Sequence, residues 1–127
     1  MNHRVLLAAA LGVACACSSS PSGPNVDPGK TLIAMSTSEQ MALCDWKADQ
    51  YGGYGKEISC GGGVTASLKA PADRSTCMSS VPQQSSRPNC PATVGQFEAC
   101  VRWTVGNGCG SNVPPPDCAA LRDSRCM

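Results

Sequence analysis

Cysteine is the residue type with the most chemistry to offer in this chain, which has ten of them among 127 residues. Cys15 and Cys17 lie near the N-terminus, and eight more are scattered through the rest: Cys44, Cys60, Cys77, Cys90, Cys100, Cys109, Cys118 and Cys126. None of the eight is spaced as Cys-x-x-Cys, and the single histidine is His3. Structural zinc sites use close cysteine pairs or Cys/His sets, so we expect no metal here. In an oxidising compartment this pattern predicts four disulfides.

The pairing of these eight cysteines stays open at the level of sequence, because about a hundred connectivities are possible. If the last two predicted helices form an antiparallel hairpin, Cys109–Cys118 and Cys100–Cys126 would nest. Each disulfide would contribute on the order of 2–4 kcal/mol. The chain needs the disulfides for stability, because it has one Phe, two Trp and two Tyr but 23 Gly and Pro residues. So few large apolar side chains form only a small hydrophobic core.

Catalysis by the common nucleophilic arrangements is excluded by the residue types. The only histidine lies in the first four residues, so neither a Ser-His-Asp triad nor a Cys-His pair can form in the rest of the chain. Asp45 and Asp49, one helical turn apart, could form a carboxylate pair for acid/base work or calcium. No dense Asp/Asn loop accompanies them, and a solvated helix face explains them better. We expect a protein that is not an enzyme and uses no cofactor, with a carboxylate-only enzyme as the weakest alternative.

Glycine runs and aromatic residues are the remaining candidates for binding. Gly52-Gly53-Tyr54-Gly55-Lys56 and Gly61-Gly62-Gly63 lack the spacing of a phosphate-binding loop, so we interpret them as a helix end and a hairpin turn. Trp46, Tyr51, Tyr54 and Trp103 could stack on a sugar or anchor a protein partner. We assign Trp46, Tyr54 and Trp103 to a candidate binding surface, because Trp46 falls opposite the Cys44 face of its helix; packing against the small core is the alternative.

The first sixteen residues have the three-part pattern of an export signal. A positive start at Met1–Arg4 precedes an apolar run from Val5 to Val13, and small residues follow. The run is too short to span a bilayer, which takes about 20 residues. A Ser/Pro/Gly tract comes directly afterwards, as expected for a tether. We therefore expect residues 1–16 to be a signal peptide.

The end of this segment resembles a bacterial lipoprotein signal, in which a cysteine after small residues receives a lipid and becomes the mature N-terminus. Cys17 is the candidate, because its lipidation leaves eight cysteines to pair, whereas lipidation of Cys15 would leave Cys17 as an odd thiol. Ala14 departs from the Leu that the family favours, and ordinary cleavage before Cys17 is the alternative. The resemblance implies acyl chains such as palmitate, an anchor in the outer membrane on its periplasmic or outer face, and a lipidated, flexible tether over 17–31.

The remaining residues, 32–127, are expected to form one domain with short helices. Ser36 with Glu39, and Thr37 with Gln40, are capping-box patterns for a helix that runs to Gln50. Thr93 with Gln96 is a third, for a helix that fades near Gly106. Asp73 can cap a short helix to about Ser80, and Asp117 a last one. Residues from Ile58 to Leu68 predict a hairpin. The fold class is mainly α: a small disulfide-rich domain with short helices, long loops and one short β-hairpin.

Three stretches carry a further resemblance, to small cysteine-rich lipoproteins of Gram-negative bacteria: Cys44-Asp45-Trp46, Gly52-Gly53-Tyr54-Gly55 and Cys90-Pro91-Ala92-Thr93-Val94-Gly95-Gln96-Phe97-Glu98-Ala99-Cys100-Val101. The resemblance implies a membrane location and a disulfide-stapled fold, and it carries no activity.

The function expected from sequence is therefore that of a membrane-anchored, non-enzymatic surface module that binds a protein or glycan or has a structural role. Loss of Arg4 with the signal leaves nine Lys or Arg against nine Asp or Glu. With no basic stripe, nucleic acid is not an expected partner. The alternative is a protease-inhibitor-like or small-ligand-binding module, whose contact would be the loop from Val81 to Arg87 between Cys77 and Cys90.

Overall fold

The computed structural model describes residues 23–61, 66–110 and 113–127. Over these residues the chain forms four α-helices and one antiparallel hairpin, which confirms the mainly α, disulfide-rich fold. The elements are a turn of 3₁₀ helix at Leu32–Ala34, α1 at Thr37–Gln50, β1 at Glu57–Ser59, β2 at Ser67–Lys69, α2 at Arg74–Ser80, α3 at Val94–Asn107 and α4 at Pro116–Leu121.

Capping side chains start three of the helices where the sequence predicts. At α1 the Ser36 hydroxyl accepts from the Glu39 N–H at 3.3 Å, and the Glu39 carboxylate accepts from the Ser36 N–H at 2.7 Å. Thr93 and Gln96 form the same reciprocal pair at α3. The Asp73 carboxylate accepts from the Thr76 N–H at 2.7 Å at α2. These bonds satisfy amide groups that have no partner inside the helix.

The start of α4 differs from the prediction, which had Asp117 as its cap. Pro115 occupies the cap position, and its side chain makes no capping bond. Pro116 is the first helical residue, where its fixed φ suits the helix and its missing N–H costs nothing. The helix therefore begins two residues earlier, and Asp117 lies in its first turn, where a negative charge is favourable.

Left-handed glycines end α1 and lead into the hairpin. Gly52 and Gly53 have φ of 89° and 122°, values that side chains disfavour. The Gly53 N–H donates to the Ala48 carbonyl at 2.9 Å and closes the helix. In the hairpin Ile58 pairs with Leu68. Most of its predicted Gly61-Gly62-Gly63 turn lies outside the described residues.

Cysteines make up much of the core, as the lean apolar composition requires. The largest fully buried side chains are Leu32, Leu43, Val94, Cys44, Cys77 and Cys90. Trp46, Phe97 and Val101 pack in the same cluster, together with residues of α2 and the C-terminal segment. No residue of β1 or β2 belongs to this cluster. The hairpin therefore lies outside the main core of the described chain.

All eight cysteines from Cys44 onward are paired, as predicted. The pairs are Cys44–Cys77, Cys60–Cys109, Cys90–Cys126 and Cys100–Cys118. The nested pairing of Cys109–Cys118 with Cys100–Cys126 is wrong. Cys100 lies inside α3 and Cys118 inside α4, so the Cys100–Cys118 disulfide forms where the two helices pack together. Cys109 lies beyond the end of α3 and is bonded to Cys60 beside the hairpin.

The N-terminal part of the described chain is already packed in a region where the sequence suggested a tether. Val26 is buried against the core. The Gly95 and Val94 N–H groups donate to the Pro28 and Lys30 carbonyls at 2.8 and 2.9 Å. Residues before the expected domain start at Leu32 thus already contact the core, beginning with the buried Val26. The burial of Val26 and these two backbone hydrogen bonds hold the segment against the start of α3.

Candidate functional site

The loop over residues 81–89, called here the 81–89 loop, contains the longest run of consecutive exposed residues in the described chain. Val81 is buried at its base, whereas residues 84–89 are all exposed. On one side α2 ends at Ser80 and is fixed through Cys77–Cys44. On the other side Cys90 is fixed through Cys126. A loop fixed at both ends loses less conformational entropy when it binds.

Turns define the backbone of this loop. The Ser86 and Arg87 N–H groups both donate to the Gln83 carbonyl, at 3.1 and 2.7 Å, and the Cys90 N–H donates to the Arg87 carbonyl at 3.1 Å. The Gln83 side-chain amide donates to the Met78 carbonyl at 3.1 Å. The loop thus consists of two successive turns, is tied to α2 by the Gln83 side chain, and is not extended.

A groove of about 340 Å³ lies between this loop and the C-terminal residues. Its lining includes Ser79, Ser80, Ser86, Arg87, Cys126 and Met127. The three serine hydroxyls donate to backbone carbonyls of Thr76, Cys77 and Gln83, so their lone pairs remain as acceptors. The exposed Arg87 guanidinium adds donors. This mixture suits hydroxyl and amide groups, which are the polar groups of sugars and peptides.

Asp45 forms an ion pair where the sequence suggested a carboxylate pair with Asp49. Its carboxylate accepts from Arg74 at 2.7 and 2.8 Å and from the Tyr54 hydroxyl at 2.7 Å. The hydrogen bonds from Arg74 hold the pKa of Asp45 below its usual value. Asp49 is exposed on the same helix. A carboxylate engaged in this way fixes α1 to α2 and is poorly suited to proton transfer near neutral pH.

Trp46 does not belong to the predicted binding surface, because it is only 6% exposed and packs in the core. The prediction placed Trp46 on the face of α1 opposite Cys44. Because α1 packs on both α2 and α3, the two faces are both buried. The Arg102 guanidinium lies 5.5 Å from the Trp46 ring centre. The Trp46 indole N–H is buried without a hydrogen-bond partner among the described residues.

The other two aromatic candidates are half-buried. Tyr54 packs against the core, and its hydroxyl is held by Asp45. Trp103 lies on α3 with part of its surface open. The structure thus brings Tyr54 to Asp45 and leaves Trp103 as the only accessible tryptophan of the described chain. The three do not form one shared face.

A second cation lies over an aromatic ring between the same helices. The Lys47 ammonium is 5.5 Å from the Phe97 ring centre, and burial lowers the pKa of Lys47. With Arg102 over Trp46, each of α1 and α3 thus places a cation over a ring of the other. Such contacts are worth about 0.5–1 kcal/mol or more.

The described ranges offer neither a cluster of metal-ligating side chains nor a helix able to cross a membrane. No group of three or more His, Cys, Asp or Glu side chains there could hold a metal ion. None of the helices in those ranges has the length and apolarity to cross a bilayer. Cys17, the predicted lipidation site, and residues 1–16 lie outside the described residues.

Comparison with protein-family models, curated proteins and solved structures found no match.

Arg74 and the long-range disulfide partners are the residues of this region that sequence reasoning missed. The Arg74–Asp45 pair spans 29 positions, so no helical or strand spacing signals it. The same holds for the two disulfides that fix the 81–89 loop, which join residues 33 and 36 positions apart. The position of the loop between Cys77 and Cys90 is the part that the sequence predicts.

Proposed function

We propose that this protein is an exported lipoprotein, anchored in the outer membrane through a lipid on Cys17, whose folded domain acts without catalysis as a binding module. The observation that carries the proposal is the complete pairing of the eight cysteines from Cys44 onward. Structural disulfides of this density belong to oxidising compartments. The pairing also leaves no partner among those cysteines for a cysteine at position 17.

The anchor follows from chemistry that acts on a free thiol. A cysteine at the end of an export signal can receive acyl chains, and each buried methylene contributes about 0.8 kcal/mol to membrane binding. Residues 17–22 would separate the lipid from the packing that begins near Val26.

The 81–89 loop and its groove are the proposed contact surface. Both ends of the loop are fixed by disulfides, and the groove offers hydroxyl acceptors beside the Arg87 guanidinium. A glycan or a protein of the cell envelope has complementary hydroxyl and amide groups. We propose the glycan-containing peptidoglycan polymer as the first ligand to test.

The anchor is tested with Cys17→Ser, with Cys15→Ser as the matched control. We expect wild type and Cys15→Ser to fractionate with membranes and to carry the mass of three acyl chains on a chain that starts at Cys17. Cys17→Ser should lose that mass. An acylated Cys17→Ser protein, or a soluble wild-type chain, would contradict the anchor.

The binding surface is tested by co-sedimentation of the oxidised domain with purified peptidoglycan. We expect Arg87→Ala to weaken binding about tenfold, the value of one charged hydrogen bond. Arg122→Ala, an exposed arginine in the C-terminal segment, is the control and should bind as wild type. If Arg87→Ala and Arg122→Ala bound peptidoglycan equally well, the 81–89 loop would not be part of the binding surface.

A protease-inhibitor-like module is the second candidate function, and the fixation of both loop ends favours it. The turned backbone at Arg87 counts against it, because peptides that bind by strand addition are extended. The test is inhibition of trypsin, which recognises arginine. Inhibition by wild type that Arg87→Ala abolishes would establish this candidate, and full trypsin activity at equimolar protein would refute it.

A further inference from the structure

Cys60–Cys109 differs from the other three disulfides in its exposure. Cys109 is exposed and Cys60 is half-buried. Each of the other disulfides includes a cysteine that is at most 2% exposed, namely Cys44, Cys90 and Cys118. Thiol–disulfide exchange needs a thiolate to reach one of the sulfurs, so exposure largely decides which disulfide reacts.

The same disulfide joins a weakly supported element to the helical body. The hairpin adds no residue to the core, and an isolated two-stranded hairpin is marginal in water. Leu68 of β2 approaches Gly108 at the end of α3, where a Cβ would lie 3.2 Å from both Leu68 methyl groups. Cys60 directly follows β1, and Cys109 directly follows the α3 cap at Gly108. The disulfide is thus the covalent attachment of the hairpin to α3.

We propose that Cys60–Cys109 is a reversible exchange site for a dithiol protein of the thioredoxin class, and that its opening releases the hairpin from α3. The first thiolate of the dithiol forms a bond to Cys109 Sγ while the Cys60–Cys109 bond breaks, and Cys60 leaves as a thiolate. The second thiol of the partner then forms the partner's own disulfide and releases Cys109. Two electrons pass from the dithiol, which becomes a disulfide, to Cys60 and Cys109, which become thiols.

Attack at Cys109 is favoured for two reasons. Cys109 is the more exposed residue. It also lies just beyond the C-terminus of α3, the negative end of the helix dipole, which disfavours a departing thiolate there. Cys60 is therefore the better leaving group, and the mixed disulfide forms on Cys109.

The first test is graded reduction of the oxidised full-length protein with dithiothreitol, followed by alkylation and peptide mapping. We expect Cys60 and Cys109 to be labelled at least about tenfold faster than the other six cysteines together. Simultaneous labelling of all eight, or earlier opening of another disulfide, would overturn the proposal.

The second test uses a thioredoxin whose second active-site cysteine is replaced by serine, which traps the mixed disulfide. We expect the mixed disulfide to form on Cys109 in wild type. The matched control is Cys60→Ser/Cys109→Ser, which retains the other three disulfides and should form no mixed disulfide. A trap on any other cysteine, or none, would overturn the exchange site.

Hydrogen exchange tests the release of the hairpin. The Cys60 N–H donates to the Ala66 carbonyl at 3.2 Å, and the Ala70 N–H donates to the Lys56 carbonyl at 2.8 Å. We expect the amides at positions 60 and 70 to exchange at least about tenfold faster in the partly reduced protein and in the double variant, where position 60 is serine. The Phe97 amide in α3 is the internal control. Unchanged exchange at Cys60 and Ala70 would refute the release.

Discussion

The guanidinium of Arg74 donates to both carboxylate oxygens of Asp45, from Nε to Oδ1 at 2.8 Å and from Nη2 to Oδ2 at 2.7 Å. Cys44 and Cys77, each beside this region in α1 and α2, form a disulfide. An ion pair and a covalent bond therefore fix the same two helices. The ion pair gives a stability contribution that depends on pH.

The first prediction concerns that pH dependence. The Arg74 hydrogen bonds lower the pKa of Asp45 in the folded protein. Stability from a lowered carboxyl pKa is present above the unfolded value and is lost as pH falls through the folded value. We expect Asp45→Asn to be slightly less stable than wild type at pH 7, and the difference to disappear as pH falls below about 4.

The measurement is the free energy of unfolding in urea for wild type and Asp45→Asn, at pH 7 and at a pH below about 4. Arg74→Met is the matched control and should lose the same increment with the same pH dependence. A difference between wild type and Asp45→Asn that stays constant down to pH 2 would contradict the assignment to Asp45.

The second prediction contrasts two glycines near the end of α3. A Cβ at Gly106 would meet nothing within 4 Å, whereas at Gly108 it would lie 2.5 Å from the Thr104 carbonyl and 3.2 Å from Leu68. We expect Gly106→Ala to raise the free energy of unfolding by about 0.5–1 kcal/mol, since alanine favours the helix. Gly108→Ala should lower it. Chemical denaturation gives the free energy of unfolding of each variant. If both substitutions changed it in the same direction, the packing described around Gly106 and Gly108 would be contradicted.

The third prediction compares two disulfides. The chain-entropy model gives about 4 kcal/mol for each of Cys44–Cys77 and Cys60–Cys109, whose loops span 33 and 49 residues. Only the first is buried, so Cys44→Ala/Cys77→Ala also leaves a cavity. We expect this variant to lose at least about 1 kcal/mol more than Cys60→Ala/Cys109→Ala. The measurement is the free energy of unfolding under oxidising conditions, and the reverse order would disprove it.

The fourth prediction tests the small core at Leu43, which is fully buried. We expect Leu43→Ala to cost about 2–5 kcal/mol. Val113 is 88% exposed, so Val113→Ala removes the same class of side chain at the surface and should change stability by less than about 0.5 kcal/mol. Similar losses in the two variants, by thermal or chemical denaturation, would mean that Leu43 is not a core residue.

Local signals in the sequence predicted much of this fold. The helix starts at Ser36, Asp73 and Thr93 each depend on a side chain that bonds to an amide three residues later. The hairpin depends on strands only a few residues apart. Such interactions are decided by neighbours along the chain, so their pattern is readable without tertiary structure.

Tertiary packing decided the features that the sequence did not predict. Cys100 pairs with Cys118 because α3 and α4 lie side by side, which no spacing reveals. Trp46 is buried because α1 packs on more than one side, so a single apolar face was the wrong assumption. The packing of residues near Val26 needed the position of α3 to be known.

The order of the disulfides along the chain has a consequence for resistance to proteolysis. Cys44–Cys77 ends before the 81–89 loop, and Cys90–Cys126 and Cys100–Cys118 begin after it. Cys60–Cys109 is therefore the one disulfide that bridges a cut within that loop. A protease that nicks the loop leaves a single covalent molecule while this bond is closed. Once it is open, the same nick divides the domain into two separate chains, one with Cys44–Cys77 and the other with Cys90–Cys126 and Cys100–Cys118.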